Sequence, residues 1–395
     1  MSGYHIAQWN GLAAASSMIL SEEQILIRDS ARAFAQEKLW PGAGERDKSG
    51  EPPLELLREM GALGFMGMTV APEWGGAGAD YVSYVLAMEE IAAGDGAVST
   101  IMSVNNAPVA LAIERFGTAE QKEQWLKPLA KGEMLGAFAL TEPQAGSDAS
   151  DLKSRARADG NGYVLNGTKQ FITSGSIADV VLAFAVTDPA AAKRGITAFL
   201  VPTEAPGYHV LRREEKLGQR ASDTCALQFE ELRLPGSGRL GEEGEGYRIA
   251  LANLEAGRLG IAAQAIGMAR AAFEAALAYA KERKQFGAPI ITHQAIGFRL
   301  ATMATEIEVA RQMLHHAAQL RDANRPCLTE AAMAKLQASE MAERVCSAAI
   351  QIHGGYGYLA DFPVERIYRD VRVCQIYEGT SEVQKIIIGR ALGAG

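Results

Sequence analysis

Apolar and polar positions along the chain follow three successive rhythms. From residue 21 to 135 the apolar residues recur at helical spacing. Ser21-Glu22-Glu23-Gln24 has the capping-box pattern and precedes Ile25, Leu26 and Phe34. Pro41-Gly42 breaks that run. Leu54, Leu57 and Met60 predict a second helix, and Val85, Met88 and Ile91 a third over about Tyr81–Ala92, with Pro72 to Gly76 as a loop between them. Thr118-Ala119-Glu120-Gln121 is another capping box, ahead of Trp125 and Leu126. From residue 136 to 245 the texture changes to short β-rich runs, such as Val180–Phe184, Ile196–Val201 and Leu227–Phe229. Asp159-Gly160 and Asn161-Gly162 are hairpin-type turns. No long helical pattern separates these runs, which predicts an antiparallel sandwich or barrel rather than βαβ units. From residue 246 to 395 the chain is helical again, in longer elements over about 246–283, 293–322, 329–353 and 364–376. Short connections between them predict an antiparallel bundle. The expected fold is mainly α with a central β-domain. It comprises a loosely ordered extension (1–20), an N-terminal helical domain (21–135), a middle β-domain (136–245) and a C-terminal helical-bundle domain (246–395).

One interruption of the helical pattern carries candidate chemistry. Ile367, Val371 and Cys374 precede it, and Val383, Ile386 and Ile387 follow it. Between them, Glu378-Gly379-Thr380-Ser381 breaks the rhythm. Gly379 supplies freedom for a sharp turn, and Thr380 or Ser381 can cap the next helix. A carboxylate placed among Ile376, Tyr377 and other apolar groups has its pKa raised by desolvation, which makes a Glu a base near neutrality. The plain alternative is a solvated Glu on a helix–loop–helix corner.

Composition narrows the function classes. The chain has 395 residues, 48% of them apolar and 22% charged, and a net charge of −8. That charge argues against nucleic acid and against an anionic membrane surface as partners. None of the four cysteines (Cys225, Cys327, Cys346 and Cys374) stands in CxxC spacing, which suggests buried free thiols rather than zinc ligands or disulfides. No apolar run is read as long enough to span a membrane. The first twenty residues hold no Lys or Arg, so neither a signal nor a transit peptide is read and a cytoplasmic location is expected. Gly236-Ser237-Gly238-Arg239-Leu240-Gly241 satisfies GxGxxG, but no strand-to-helix context surrounds it, and it reads as a glycine-rich hinge.

Ile376-Tyr377-Glu378-Gly379-Thr380-Ser381-Glu382-Val383-Gln384 resembles the C-terminal signature of the acyl-CoA dehydrogenases, and the likeness runs from about Ser21 to the end. Ala139 to Asp148, ALTEPQAGSD, resembles the segment that lies against flavin and acyl-CoA in that family. The resemblance implies FAD as cofactor and Glu378 as the base for the α-proton of an acyl-CoA thioester. It places Phe138, Leu140, Thr141, Gly146 and Ser147 against the cofactor, with Ser147 also facing the CoA chain. Phe171, Ile172 and Thr173 follow on the same grounds, Phe171 standing where many members have Trp. Arg283, Phe286 and Gln294, with Gln351, Ile352, Gly354 and Gly355, resemble the segments that contact a neighbouring subunit's FAD. Thr380, Ser381 and Glu382 are assigned to the cofactor, and Glu255, Gly257, Arg258, Tyr377 and Gly379 to the substrate. Some branches carry the base at the position of Gly257, and glycine cannot serve. The implied product is a trans-2-enoyl-CoA, the electron acceptor is electron-transfer flavoprotein and the assembly is a homotetramer. Ser103-Val104-Asn105-Asn106 and the segment Glu330 to Lys335 most resemble the short-chain and short/branched-chain enzymes, which implies acyl groups of about four to six carbons. An acyl-CoA oxidase and a non-catalytic flavin- or CoA-binding relative are the other readings.

Overall fold

Local sequence fixes where the first helices begin. The computed structural model describes residues 19–394, so the reading of an extension lies, for residues 1–18, outside the described residues. Helix α1 (Glu22–Phe34) starts at Ser21, whose side chain accepts from the Gln24 N–H while the Gln24 side chain accepts from the Ser21 N–H. At Pro41-Gly42 the chain does not stop. It passes through a π-type turn (Ala35–Leu39) and a 3-10 turn (Trp40–Gly42) into α2 (Ala43–Ser49). Helices α3 (Leu54–Ala62), α4 (Tyr81–Gly94) and α5 (Gly96–Val104) follow. Asp80 caps α4 and Asp95 caps α5. A π-type turn at Asn105–Ala110 leads to α6 (Leu111–Phe116), and Thr118 with Gln121 closes the second capping box at α7 (Ala119–Gln121). Helix α8 (Lys127–Ala130) ends the N-terminal domain.

The middle domain is built on β1 (Gly136–Ala139), β2 (Arg155–Asp159), β3 (Gly162–Thr173), β4 (Val180–Val186), β5 (Ile196–Pro202), β6 (Tyr208–Arg213), β7 (Thr224–Pro235) and β8 (Arg239–Leu240). They form one sheet in the order β6-β7-β3-β2-β4-β5-β8, with β1 added beside β4. The expectation of a purely antiparallel sheet needs correction, because β1 and β2 both pair parallel to β4. Strand β4 alternates as a strand must. Val180, Leu182 and Phe184 pack with Val109, Leu129 and Ile249 of the helical domains, while Val181, Ala183 and Ala185 enter a separate core with Leu165, Leu227 and Phe229. Gly236–Gly238 is a 3-10 turn running into β8, so the GxGxxG segment opens no helix.

The C-terminal domain contains α9 (Gly246–Glu282), α10 (Gln294–Asp322), α11 (Leu328–His353), α12 (Pro363–Val371) and α13 (Ser381–Ala391). Its third expected helix starts one residue earlier than predicted, and the fourth stops at Val371 before a 3-10 turn. Helix α9 is the spine. It packs on α4, α10, α11 and α12 within one large core. Where α9 meets α4, a Cβ on Gly267 would lie 2.2 Å from the Glu89 carbonyl oxygen, so only glycine allows that approach. The expectation that no segment reaches membrane-spanning length is also corrected. The stretches Gly96–Phe116 and Gly246–Glu282 are long and apolar enough by length and composition, and both lie mostly buried inside the fold. The four cysteines are free and buried.

Candidate active site

The C-terminal corner places a carboxylate against a helix that has been bared to receive it. Cys374 and Val371 are buried, and after a 3-10 turn the backbone enters the left-handed region at Glu378 (φ 55°) and Gly379 (φ 89°). A non-glycine residue at positive φ is uncommon and strained. Thr380 then caps α13 through the Val383 N–H, so the second turn signal acts as predicted. The turn aims Glu378 at α9. A Cβ on Gly257 would lie 2.7 Å from Glu378 Oε2, so the carboxylate fills the space that this glycine leaves empty. Oε2 is buried without a hydrogen-bond partner among the described residues. Burial pushes the carboxyl up to about 7, although the Arg258 and Lys335 cations pull the other way.

Arg258 is buried beside it, with Nε and Nη1 unpartnered among the described residues. Tyr84 from α4 presents a fully buried hydroxyl near Ser103, where a Cβ on Gly260 would lie 2.7 Å from the Tyr84 oxygen. The Tyr377 hydroxyl is held in a polar network. It donates to Gln264 Oε1 and accepts from Gln219 Nε2 at 3.3 Å. Gln264 is itself fully buried and donates to the Gly96 carbonyl at 3.0 Å, Ser99 Oγ at 2.8 Å and Thr100 Oγ1 at 2.6 Å. Glu255 points elsewhere, into an ion pair with Arg321 at 2.8 Å. Ser381 is buried in the first turn of α13, and Glu382 is exposed there.

A second group lies on the rim of the middle domain. The Thr141 carbonyl accepts from the Gln170 N–H at 2.9 Å, which ties the loop after β1 to β3. Beneath that loop Glu142 is buried and accepts from the Lys153 N–H at 2.6 Å, the Ser154 N–H at 3.1 Å and Lys169 Nζ at 2.8 Å. Above it Gly146 and Ser147 are exposed, and nothing lies within 4 Å of a Cβ built on Gly146. The β3–β7 register slips between Lys169 and Ile172. That bulge turns Phe171 outward in a left-handed conformation (φ 59°), 65% exposed, while Ile172 stays in the core and Thr173 is half-buried. Phe138 and Leu140 pack towards the helical domains.

The third group is apart from both. Arg283, Phe286, Ile352, Gly354 and Gly355 line an open groove of ≈ 680 Å³ to which no residue of the middle domain contributes. Phe286 is 96% exposed at φ 52°, and Arg283 lies over the Tyr356 ring. Gln294 and Gln351 are exposed on the adjoining helices.

Two site residues escaped the sequence reading. Lys335 is fully buried and donates to the Gly379 carbonyl at 2.7 Å. Gln384, also fully buried, donates to the Gly379 carbonyl at 2.9 Å and the Glu378 carbonyl at 3.1 Å. The available signal was a Lys on the face that α11 otherwise fills with Ala331, Ala334, Ala338 and Ala342.

Comparison with known proteins fits this arrangement. Three family models match in chain order: the acyl-CoA dehydrogenase N-terminal domain over residues 21–133, the middle domain over 137–232 and the C-terminal domain over 244–393. The chain is 47% identical over 372 residues to the bovine (Bos taurus) mitochondrial short-chain specific acyl-CoA dehydrogenase, covering 94% of this chain and 90% of that one. Butyryl-CoA dehydrogenase from Megasphaera elsdenii superposes with a TM-score of 0.93 at 43% identity, over 95% and 99% of the two chains. A glutaryl-CoA dehydrogenase from Mycobacterium smegmatis, solved in complex with FADH2, gives 0.92 at 34% identity over 96% and 97%. The chain belongs to the acyl-CoA dehydrogenase family.

Proposed function

We propose that the protein catalyses FAD-dependent α,β-dehydrogenation of short acyl-CoA thioesters, with Glu378 as the base that takes the α-proton. The observation that carries this reading is the half-buried Glu378, whose enclosed Oε2 has no hydrogen-bond partner among the described residues and lies against the bare backbone of Gly257. A carboxyl pushed up to about 7 is matched to proton abstraction near neutrality. Arg258 faces Glu378 as a buried cation and favours its ionised form. The backbone N–H of Glu378, fixed by the left-handed turn, is the proposed donor to the thioester oxygen as charge develops there.

The residues present fit a flavin. Exposed Phe171 offers a flat apolar face, and the loop after β1 leaves Gly146 with open space around its backbone and Ser147 exposed. In the separate groove, Arg283 offers a planar fork suited to a diphosphate, and Gly354 and Gly355 leave open space around their backbone. When bound, FAD supplies the acceptor for the β-hydride, and the protein supplies orientation and electrostatics. Thr141, Ser147, Phe171 and Thr173 would hold the ring end, and Arg283, Phe286, Gln294, Gln351, Gly354 and Gly355 the other end, in a neighbouring subunit's site. We therefore propose a homotetramer, built as a dimer of dimers. Light scattering is expected to give a multimer whenever flavin is fully bound, and a fully flavinylated monomer would sink the idea. Electron-transfer flavoprotein as acceptor and a cytoplasmic location belong to the same proposal.

Gln264 supports a short acyl group. It lies seven residues beyond Gly257 on one face of α9, about 10 Å along the axis. Held by Ser99, Thr100 and Tyr377, it closes the space between α9 and α5 at that depth. The highest kcat/KM is expected for acyl groups of about four to six carbons, with tolerance for a methyl branch and a steep fall beyond. A panel of butyryl-, isobutyryl-, 2-methylbutyryl-, octanoyl- and palmitoyl-CoA tests this, and palmitoyl-CoA as best substrate would overturn it. One anaerobic spectrum with added butyryl-CoA tests catalysis itself: the flavin is expected to bleach, and a flavin that stays oxidised would favour the non-catalytic reading.

A further inference from the structure

We propose that Lys335 and Gln384 are positioning residues that clamp the strained Glu378–Gly379 turn, and that the Lys335 charge, together with Arg258, favours the ionised base. This rests on Glu378 being the base. The carbonyls of these two consecutive positive-φ residues face buried side chains, and away from water each needs a donor. Both carbonyls are met from buried side chains. Lys335 Nζ, on α11, reaches the Gly379 oxygen at 2.7 Å, and Gln384 Nε2, on α13, reaches the Gly379 and Glu378 oxygens at 2.9 and 3.1 Å. The turn is thus gripped from two helices, while among the described residues nothing hydrogen-bonds to Glu378 Oε2, which is left to accept a proton. A residue held at φ 55° relaxes unless its surroundings over-determine it, and these three hydrogen bonds do so.

The Lys335 side chain is enclosed, so solvent and salt screen its cation only weakly. A lysine is costly at such a place, and an apolar side chain of similar volume would serve packing alone better. Burial pushes Lys335 itself down to about 8, so it still carries its charge at neutral pH. The charged and titratable groups facing Glu378 are Arg258 from α9, Lys335 from α11 and Tyr84 from α4. Those facing Lys335 are Cys374, Glu378, Arg258 and Glu382. The two cations favour ionised Glu378, so removing either raises the pH at which it deprotonates.

The test separates clamp from charge. Lys335→Met keeps volume and removes both donor and charge. Lys335→Gln keeps a donor without charge, and Gln384→Met removes donors without touching charge. The readouts are the pH profile of kcat with butyryl-CoA and, independently of turnover, the pH midpoint of the Glu378 carboxyl infrared band, identified by difference against Glu378→Gln. Lys335→Met is expected to lower kcat about tenfold or more, since small misplacement of a reacting group is costly. It is also expected to move the ascending limb and the infrared midpoint about one pH unit upward. Gln384→Met is expected to lower kcat with neither midpoint moving, and Lys335→Gln to move both midpoints upward. Should Lys335→Met fail to fold, the infrared midpoint of Lys335→Gln decides the charge role and the kcat of Gln384→Met decides the clamp. Midpoints that stay put in both Lys335 variants, or Gln384→Met at parental kcat, overturn the proposal. A parent protein that fails to turn over butyryl-CoA, yet shows the infrared shifts, would instead count against the proposed function.

Discussion

Glu378→Gln is expected to lose roughly 10²–10⁴-fold in kcat while keeping its fold, because an amide of nearly the same shape cannot accept the α-proton. The turn itself should survive, since Lys335 and Gln384 bond to backbone carbonyls rather than to the Glu378 side chain. The parent's pH profile has a definite sign. Burial holds the Glu378 carboxyl at about 7, so the base is protonated and idle below that pH, and kcat rises as pH rises through it. Stability has the opposite sign. The folded-state pKa is raised above the unfolded value. The corresponding stability is therefore fully present below the unfolded pKa and lost as pH rises through about 7. Glu378→Gln carries no such loss, and at pH 8 it should unfold at no lower a urea concentration than the parent. Single-turnover flavin reduction with butyryl-CoA, beside urea melts at pH 6 and pH 8, checks both halves. Near-parental reduction rates at saturating substrate would remove Glu378 from the role of base.

What the sequence made legible was local or periodic. The Ser21 and Thr118 capping boxes, the β-rich run at Val180–Phe184 and the Glu378–Gly379 break each rest on a few neighbouring residues, and each is found in place. What escaped depends on residues far apart in the chain. The parallel pairing of β1 with β4 joins segments some forty residues apart (Gly136 opposite Val180), and no turn signal announces it. Pro41-Gly42 interrupts the α pattern, yet Pro41 falls in the first turn of the 3-10 segment, where its missing N–H costs no bond, and the chain continues into α2. Lys335 and Gln384 were passed over because a helical pattern is read from its apolar members. A buried polar side chain among them gains meaning only when its partner, here a carbonyl in a turn more than forty residues from Lys335, is known. The three site clusters were each readable as motifs. Their separation, with no middle-domain residue lining the Arg283 groove, does not follow from residue spacing; only the resemblance, which assigns the Arg283 segments to a neighbouring subunit's FAD, implies it.

The loop that presents Gly146 and Ser147 stands on one buried ion pair, and Lys169→Met should show how much rests on it. Burial alone would raise the Glu142 carboxyl, yet the Lys169 cation, the Lys153 N–H and Ser154 hold it down at about 2. Lys169, wholly enclosed, is itself pushed down to about 8 by the same burial. Besides the cation, Glu142 accepts from the Lys153 and Ser154 N–H groups. A methionine fills the lysine's volume but leaves the buried Glu142 carboxylate with backbone donors and no cation. Breaking a buried pair from one side typically costs about 3–5 kcal/mol. The sign with pH follows from the depressed carboxyl. In the parent its contribution is present above the unfolded pKa and is lost as pH falls towards about 2. In Lys169→Met the carboxyl pKa rises and Glu142 takes up a proton, so the deficit is largest at pH 7 and shrinks at pH 5. The double variant Glu142→Gln/Lys169→Met removes the stranded charge and should recover much of the loss. Urea melts of parent, single and double variants at the two pH values measure this, alongside the fraction of FAD retained on gel filtration. Lys169→Met is expected to lose flavin first, because Thr141 and the exposed Gly146-Ser147 backbone are set by the loop that Glu142 anchors. A single variant as stable as the parent at pH 7, with its flavin in place, would mean that the backbone donors to Glu142 suffice and the lysine is dispensable.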